Sequence, residues 1–246
     1  MRAFILGNSG ELLDHDLTLL KGETVFGCNA LALRIPEIIT HYVCMDILMA
    51  FVPEVRSLIS KSAKKYYSRL LWNTIYQEDN VNVFDTHPDH LFGFSFSETN
   101  VYSGMTAAYV SLQIAAHQGF DEIYLLGIDL GLPKNSIIHI PEQEKLLGIV
   151  REKNLANPTI DKRVAPITHE THTKKIQKHF IYAKAVLEER GINVVNLSKG
   201  GNLNCFKREN YEEILSDQGM RLVGAQQTEE AYKGISKSHA RPSLVA

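Results

Sequence analysis

Three histidines, His169, His172 and His179, are the side chains best suited to moving a proton near neutral pH, because imidazole titrates in that range. Positions three and seven apart share one face of a helix, so this spacing groups them if the segment is helical. His172 or His169 can then serve as general base or acid. The pair is also close enough to chelate a metal ion, but no HExxH or CxxC pattern accompanies it, and a zinc site is not expected. The same spacing describes a solvated helix end with scattered histidines.

A second set is small and polar: Gly7-Asn8-Ser9-Gly10, Cys28-Asn29, Asp46, Ser103-Gly104 and Asp129, with Ser198 and Lys199 in a glycine-rich loop. Glycines let backbone N–H groups approach an anion or a sugar closely. Ser103-Gly104 opens a helix, where free N–H groups and the dipole favour phosphate. Together Gly7, Asn8, Ser9, Gly10, Asn29, Asp46, Ser103, Gly104, Asp129, Ser198 and Lys199 describe a nucleotide cleft. The opening matches neither GxGxxG nor the P-loop, and each cluster taken alone is also an ordinary turn.

These residues need a frame that brings them together. Ala3 to Leu6 reads as a short buried parallel strand, Glu11 to Leu20 as a helix, Thr24 to Asn29 and Ile38 to Met45 as strands, Glu54 to Lys65 as a helix, and Val81 to Phe84 as a strand. Ser103 is placed to cap a helix that Gly119 closes. Glu122 to Asp129 follows as a strand ending in a carboxylate. Leu130 to Thr168 is poorly periodic and reads as an insertion or lid. Thr171 to Arg190 is a helix closed by Gly191, Ile192 to Leu197 a last strand, and Tyr211 to Leu215 a short helix. The pattern predicts a Rossmann-like α/β fold, a mostly parallel sheet with helices on both faces, over residues 1–224. The insertion covers about 130–168. Residues 225–246 form a tail that is flexible or used for assembly, which a homo-oligomer would suit. In such a sheet ligands bind outside the carboxyl ends of the strands.

The bulk numbers exclude some classes. The chain has 246 residues, a formal charge of -2 and 44% apolar residues. A nucleic-acid binder would carry a strongly basic domain. The basic runs Lys61 to Lys65 and Lys174 to Lys178 are short and read as solvated helix faces. Three widely spaced cysteines, Cys28, Cys44 and Cys205, suit reduced thiols in a cytoplasmic protein. No signal peptide is recognised ahead of the first strand, and no apolar run approaches the roughly 20 residues that span a bilayer.

Ile5-Leu6-Gly7-Asn8-Ser9-Gly10-Glu11-Leu12 resembles the G-N-G-P-S-L opening of the bacterial sialyltransferases of glycosyltransferase family 42. It equally resembles the related MptE-like family, which includes motility accessory factors and archaeal 6-hydroxymethylpterin diphosphokinases. Phe26 to Asn29 is similar to their second-strand C-N. The stretch from Tyr102-Ser103-Gly104 to Gly119-Phe120-Asp121-Glu122-Ile123-Tyr124-Leu125-Leu126-Gly127-Ile128-Asp129 is the most specific match to the sialyltransferases. Asn193 to Leu203 looks more like the MptE-like ending. The resemblance implies Asn8, Asn29, Ser103 and Gly104 as residues binding a cytidine nucleotide, and a histidine base at His172 or its rival His169. The two tyrosines that follow the G-I-D strand in the sialyltransferases have no counterpart between Asp129 and Thr168. The Pro-Ser of their opening is also replaced here, by Gly10 and Glu11.

Three functions follow as expectations. One is a glycosyltransferase using a nucleotide-activated, CMP-linked sugar, with a glycan or small-molecule acceptor and no cofactor. A second is a diphosphokinase with Mg²⁺ held by Asp46 and Asp129. The third is a nucleotide-binding protein that has lost the reaction.

Overall fold

The computed structural model describes residues 1–45, 57–59, 63–72, 81–128, 130, 140–142, 145 and 169–216. Contacts divide the chain into one unit, Met1–Glu209, and a second, Asn210–Ala246. In the second, residues 211–216 are helical, and Asn210 Oδ1 accepts the Glu213 N–H at 3.0 Å. Asp46, Asp129, most of the insertion and the tail from 217 lie outside the described residues.

Among the described residues, nine strands of the first unit form one sheet: β1 Arg2–Leu6, β2 Val25–Cys28, β3 His41–Cys44, β4 Lys64–Ser68, β5 Val81–His87, β6 Asn100–Tyr102, β7 Glu122–Leu126, β8 Asn193–Asn196 and β9 Lys207–Arg208. Their order is β6-β5-β4-β3-β2-β1-β7-β8-β9, and every pairing is parallel. The strands step outward from β1 to β6, then resume on the other side of β1 with β7. The point where the order reverses is therefore the β1–β7 boundary, where open α/β sheets form their crevice. The chain has an α/β, Rossmann-like fold.

Alternation along the strands buries two faces. Ala3, Ile5, Phe26, Val43, Tyr66, Ile123 and Leu125 pack in one core with helix α3, Ala107–His117, and helix α4, His169–Glu189. Phe4 stacks on Tyr124 at 5.0 Å in the other. On that second face Gly27 lies bare against Ile39 and Leu31, so the short helix α1, Leu31–Arg34, covers it. Helix α2, Arg69–Trp72, follows β4.

Helix α4 is amphipathic. Ile176, Phe180, Ala183 and Leu187 are buried at helical spacing, while Lys174, Lys175 and Lys178 are exposed, as expected of a solvated face. Both α3 and α4 end in the same device. Gly119 and Gly191 have positive φ. In each case the glycine and the residue after it donate back to the last helical turn, Gly119 to Ala116 and Phe120 to Ala115, Gly191 to Glu188 and Ile192 to Leu187. This is the Schellman arrangement.

Several local expectations fail for physical reasons. Glu11 to Leu20 is two 3-10 turns, Gly10–Asp14 and Leu17–Leu20, because Ser9 and Asp16 each cap a separate turn within ten residues. Lys64 and Lys65 belong to strand β4; the buried alternate ring of Tyr66 anchors it in the core. The cap of α3 is Thr106, not Ser103. Thr106 Oγ1 accepts the Ala108 N–H at 3.4 Å, while Gly104 (φ 52) and Met105 (φ 62) form an intervening left-handed turn. Edge strand β6 is missing from the sequence pattern because it is three residues long. Gln113, fully buried in α3, holds it. Gln113 accepts the N–H groups of Ser95 and Tyr102 at 3.0 Å and donates to the Tyr102 and Tyr109 carbonyls at 2.7 and 3.2 Å.

Candidate functional site at the carboxyl rim

Because all strands run the same way, whatever follows them lies on one rim. Asn8 follows β1, Asn29 follows β2, Ser103 and Gly104 follow β6, and Ser198 and Lys199 follow β8. Helix α4 returns from that rim, so its first turn, with His169 and His172, begins there. The rim residues fall into two groups.

The first group sits at the β1–β7 switch. Gly7 donates its N–H to the Leu126 carbonyl at 2.9 Å and Ser9 to the Gly127 carbonyl at 3.2 Å. A Cβ on Gly7 would stand 2.1 Å from the Gly127 oxygen, so this glycine serves close loop packing. The expected cradle of Gly7 and Ser9 amides for an anion is thus already occupied by carbonyls. Ser9 Oγ accepts the Glu11 N–H at 3.2 Å, and Gly10 is buried. Asn8 donates to the Cys28 carbonyl and thiol at 3.3 and 3.2 Å, and its carbonyl accepts the Ile140 N–H at 2.9 Å. Ile140 is fully buried, so part of the expected insertion docks on the β1 loop. Asn8 Oδ1 is buried with no hydrogen-bond partner among the described residues. Burial pushes the Cys28 thiol up to about 12, opposed by its bond to Asn8, so it is a packed thiol and not a nucleophile.

Asn29 has φ 48, a left-handed conformation that asparagine tolerates better than most residues. Its carbonyl accepts the Tyr42 hydroxyl at 3.0 Å and its Oδ1 faces the Cys44 thiol at 3.7 Å. Ser198 is buried. Its Oγ accepts the Gly127 N–H at 3.0 Å, and its own N–H donates to Asn196 Oδ1 at 3.0 Å, so it ties β8 to β7. Lys199 is exposed and its N–H donates to Glu11 Oε1. Glu11 and Arg208 are site residues that sequence reasoning missed. Arg208 donates to the carbonyls of Ser198 and Gly201 and so fixes the glycine-rich loop.

The second group lies at the β5–β6 end. Ser103 is buried. Its hydroxyl donates to Asp89 Oδ1 and accepts the Met105 N–H at 3.2 Å. The Thr106 N–H goes to the Ser103 carbonyl at 3.2 Å, and the Tyr109 N–H to the Thr106 carbonyl at 3.0 Å. The start of α3 therefore spends most of its amides internally and stands beside a carboxylate, both unfavourable to a phosphate at Ser103-Gly104. Gly104 is required by its positive φ and by the Tyr109 ring, 2.2 Å from where its Cβ would sit. Asp89 also touches His179, which is buried, stacks on Phe92 at 4.6 Å and meets Tyr109 edge-on at 5.6 Å. Burial lowers the pKa of His179, against the Asp89 backbone and charge. Asp89 was missed because β5 runs three residues past Phe84, to His87, which carries the following turn to the rim. His172, seven residues before His179, lies two turns nearer the rim and is half-buried.

The hydrogen bonds just described fall within one group or the other. They share a rim, five strand positions apart from β1 to β6. Among the described residues no three His, Cys, Asp or Glu side chains could hold a metal ion, no helix is long and apolar enough to cross a membrane, and all three cysteines are unbridged. No protein-family model, curated protein or solved structure matches the chain.

Proposed function

We propose that the carboxyl rim binds a nucleotide-activated sugar and that the protein is a glycosyltransferase of sialyltransferase type, with His172 as the base that deprotonates an acceptor hydroxyl. The observation that carries this reading is Asn8 Oδ1, a buried amide oxygen beside the β1–β7 switch point with no donor among the described residues. An amino group of a nucleobase such as cytosine supplies that donor, and a buried acceptor left unpaired costs about 1–3 kcal/mol. Asn29, one strand away, lies on the same side of the crevice. Its rim position in the first turn of α4, half-buried, supports His172 as the base for an acceptor hydroxyl. The test is thermal shift against CMP, CDP, ATP and GTP. Stabilisation by CMP or CDP alone supports the reading, and no response to any of the four overturns it. His172→Ala should abolish turnover and keep the CMP response; undiminished turnover removes the base assignment.

One observation favours a second reading. The amides at Gly7, Ser9 and the start of α3 are committed internally, so a polyphosphate on this rim needs another neutralising group. A Mg²⁺-dependent diphosphokinase meets that need. The carboxylates the sequence offers, Asp46 and Asp129, lie outside the described residues. Activity or nucleotide binding that persists in EDTA excludes this alternative.

A further inference from the structure

The opposite rim carries a cleft of its own. The amino ends of β3, β4 and β5 and the carboxyl end of α3 surround about 610 Å³ lined by His41, Lys64, Tyr66, Asn82, Glu98 and Gln118, among others.

His41 is more than nine-tenths buried, and its ring stacks on Phe26 at 4.3 Å. Its Nδ1 lies 2.9 Å from Thr40 Oγ1. That hydroxyl gives its own hydrogen to the Val25 carbonyl at 3.1 Å and accepts the Val25 N–H at 2.8 Å. The network therefore assigns the ring proton to Nδ1 and leaves Nε2 as a bare acceptor. Nε2 is buried, and its one described neighbour is the Gln118 side chain, a weak contact outside full hydrogen-bond geometry. Burial, and the charge of Lys64, push the pKa of His41 down to about 4, against the Gln118 side chain, which raises it, so the ring stays neutral at pH 7.

The polar groups beside it converge on a carboxylate acceptor, Glu98. The Gln118 amide donates to the Tyr66 hydroxyl at 2.6 Å, and both reach the Glu98 carboxylate only at 3.4 Å. Glu98 is half-buried and retains acceptor capacity. Helix α3 ends here, which adds partial negative charge. Lys64 and the Asn82 amide supply the opposite polarity at the starts of their strands.

We propose that this amino-rim cleft binds a small zwitterion of the amino-acid class, its ammonium group held by Glu98 and His41 and its carboxylate by Lys64 and Asn82. A ligand donor reaches Nε2 by displacing the Gln118 amide set against the ring. No part of this depends on the chemistry of the carboxyl rim.

The test is a titration of the full chain with L-serine, followed through the His41 ring nitrogens by long-range proton–nitrogen NMR. Before serine, the spectrum should show the Nδ1–H tautomer. Serine should move the Nε2 signal saturably, with a dissociation constant of about 1 mM, a scale within reach of so few atoms. Glu98→Gln and Lys64→Ala should each weaken binding about tenfold or more, with the backbone amide spectrum retained. Gln118→Ala should tighten it. The proposal is overturned by an Nε2–H tautomer, by an unmoved His41 signal at about fifty times that concentration, by equal affinity in Glu98→Gln, or by glycerol acting as well as serine.

Discussion

Asn8 and Cys28, twenty residues apart, are joined by the Asn8 side-chain amide, which donates to both the carbonyl and the thiol of Cys28 at 3.3 and 3.2 Å. The bond fixes which way the amide points: the nitrogen is turned toward Cys28, and the oxygen has no donor among the described residues. Asn8→Asp replaces the donor by a carboxylate facing the Cys28 carbonyl. The expected loss is about 1–3 kcal/mol, read as a lower urea midpoint at unchanged slope, together with loss of the CMP response.

Gly7→Ala tests the contact between the β1 and β7 loops. The new methyl would meet the Gly127 carbonyl, and two backbones cannot give way as a flexible side chain can. A loss of about 3 kcal/mol or more is expected. Gly22→Ala is the control. Gly22 has φ 91 with nothing within 4 Å of its Cβ position, so only conformational strain remains, about 1 kcal/mol. Equal urea midpoints for the two variants would contradict the packing account.

Ser198→Ala removes the acceptor of the buried Gly127 N–H. An orphaned buried donor costs about 1–3 kcal/mol. Ser198→Cys offers only a weak acceptor and should recover little of this. Amide exchange at Gly127 should quicken in both variants, and unchanged exchange would show that the hydroxyl does not hold this loop.

The neutral His41 predicts an acid limb of stability. Its folded pKa, about 4 against an ordinary 6.5, means that the unfolded chain binds the extra proton between those values. Stability is then full above about pH 6.5, falls as pH drops toward about 4, and loses at most about 3 kcal/mol from this residue, less with solvent screening. His41→Phe should flatten that part of the urea-midpoint profile. A profile unchanged by the substitution would show that the ring does not titrate this way.

The α/β class was legible because parallel strands buried on both sides leave short apolar runs, as in Ala3 to Leu6 and Glu122 to Leu126, and because Gly119 and Gly191 mark helix ends by a rule that needs no tertiary context. Strand β6 was not legible, since three residues give no period and its stability comes from Gln113 on another element. The cap of α3 was misplaced because Ser103 and Thr106 are equally good caps by type; the left-handed turn at Gly104 and Met105 decides between them.

The residue types at the strand ends, and their arrival on a single rim once the strands are parallel, are properties of the sequence. What each of them is free to do belongs to the tertiary structure. The amides of Gly7 and Ser9 meet the carbonyls of Leu126 and Gly127, the Ser103 hydroxyl is given to Asp89, and Asn8 Oδ1 has no donor among the described residues, all through partners brought up from distant parts of the chain. A hydrogen-bonding group is available to a ligand only when the fold has not already used it, and no local pattern records that.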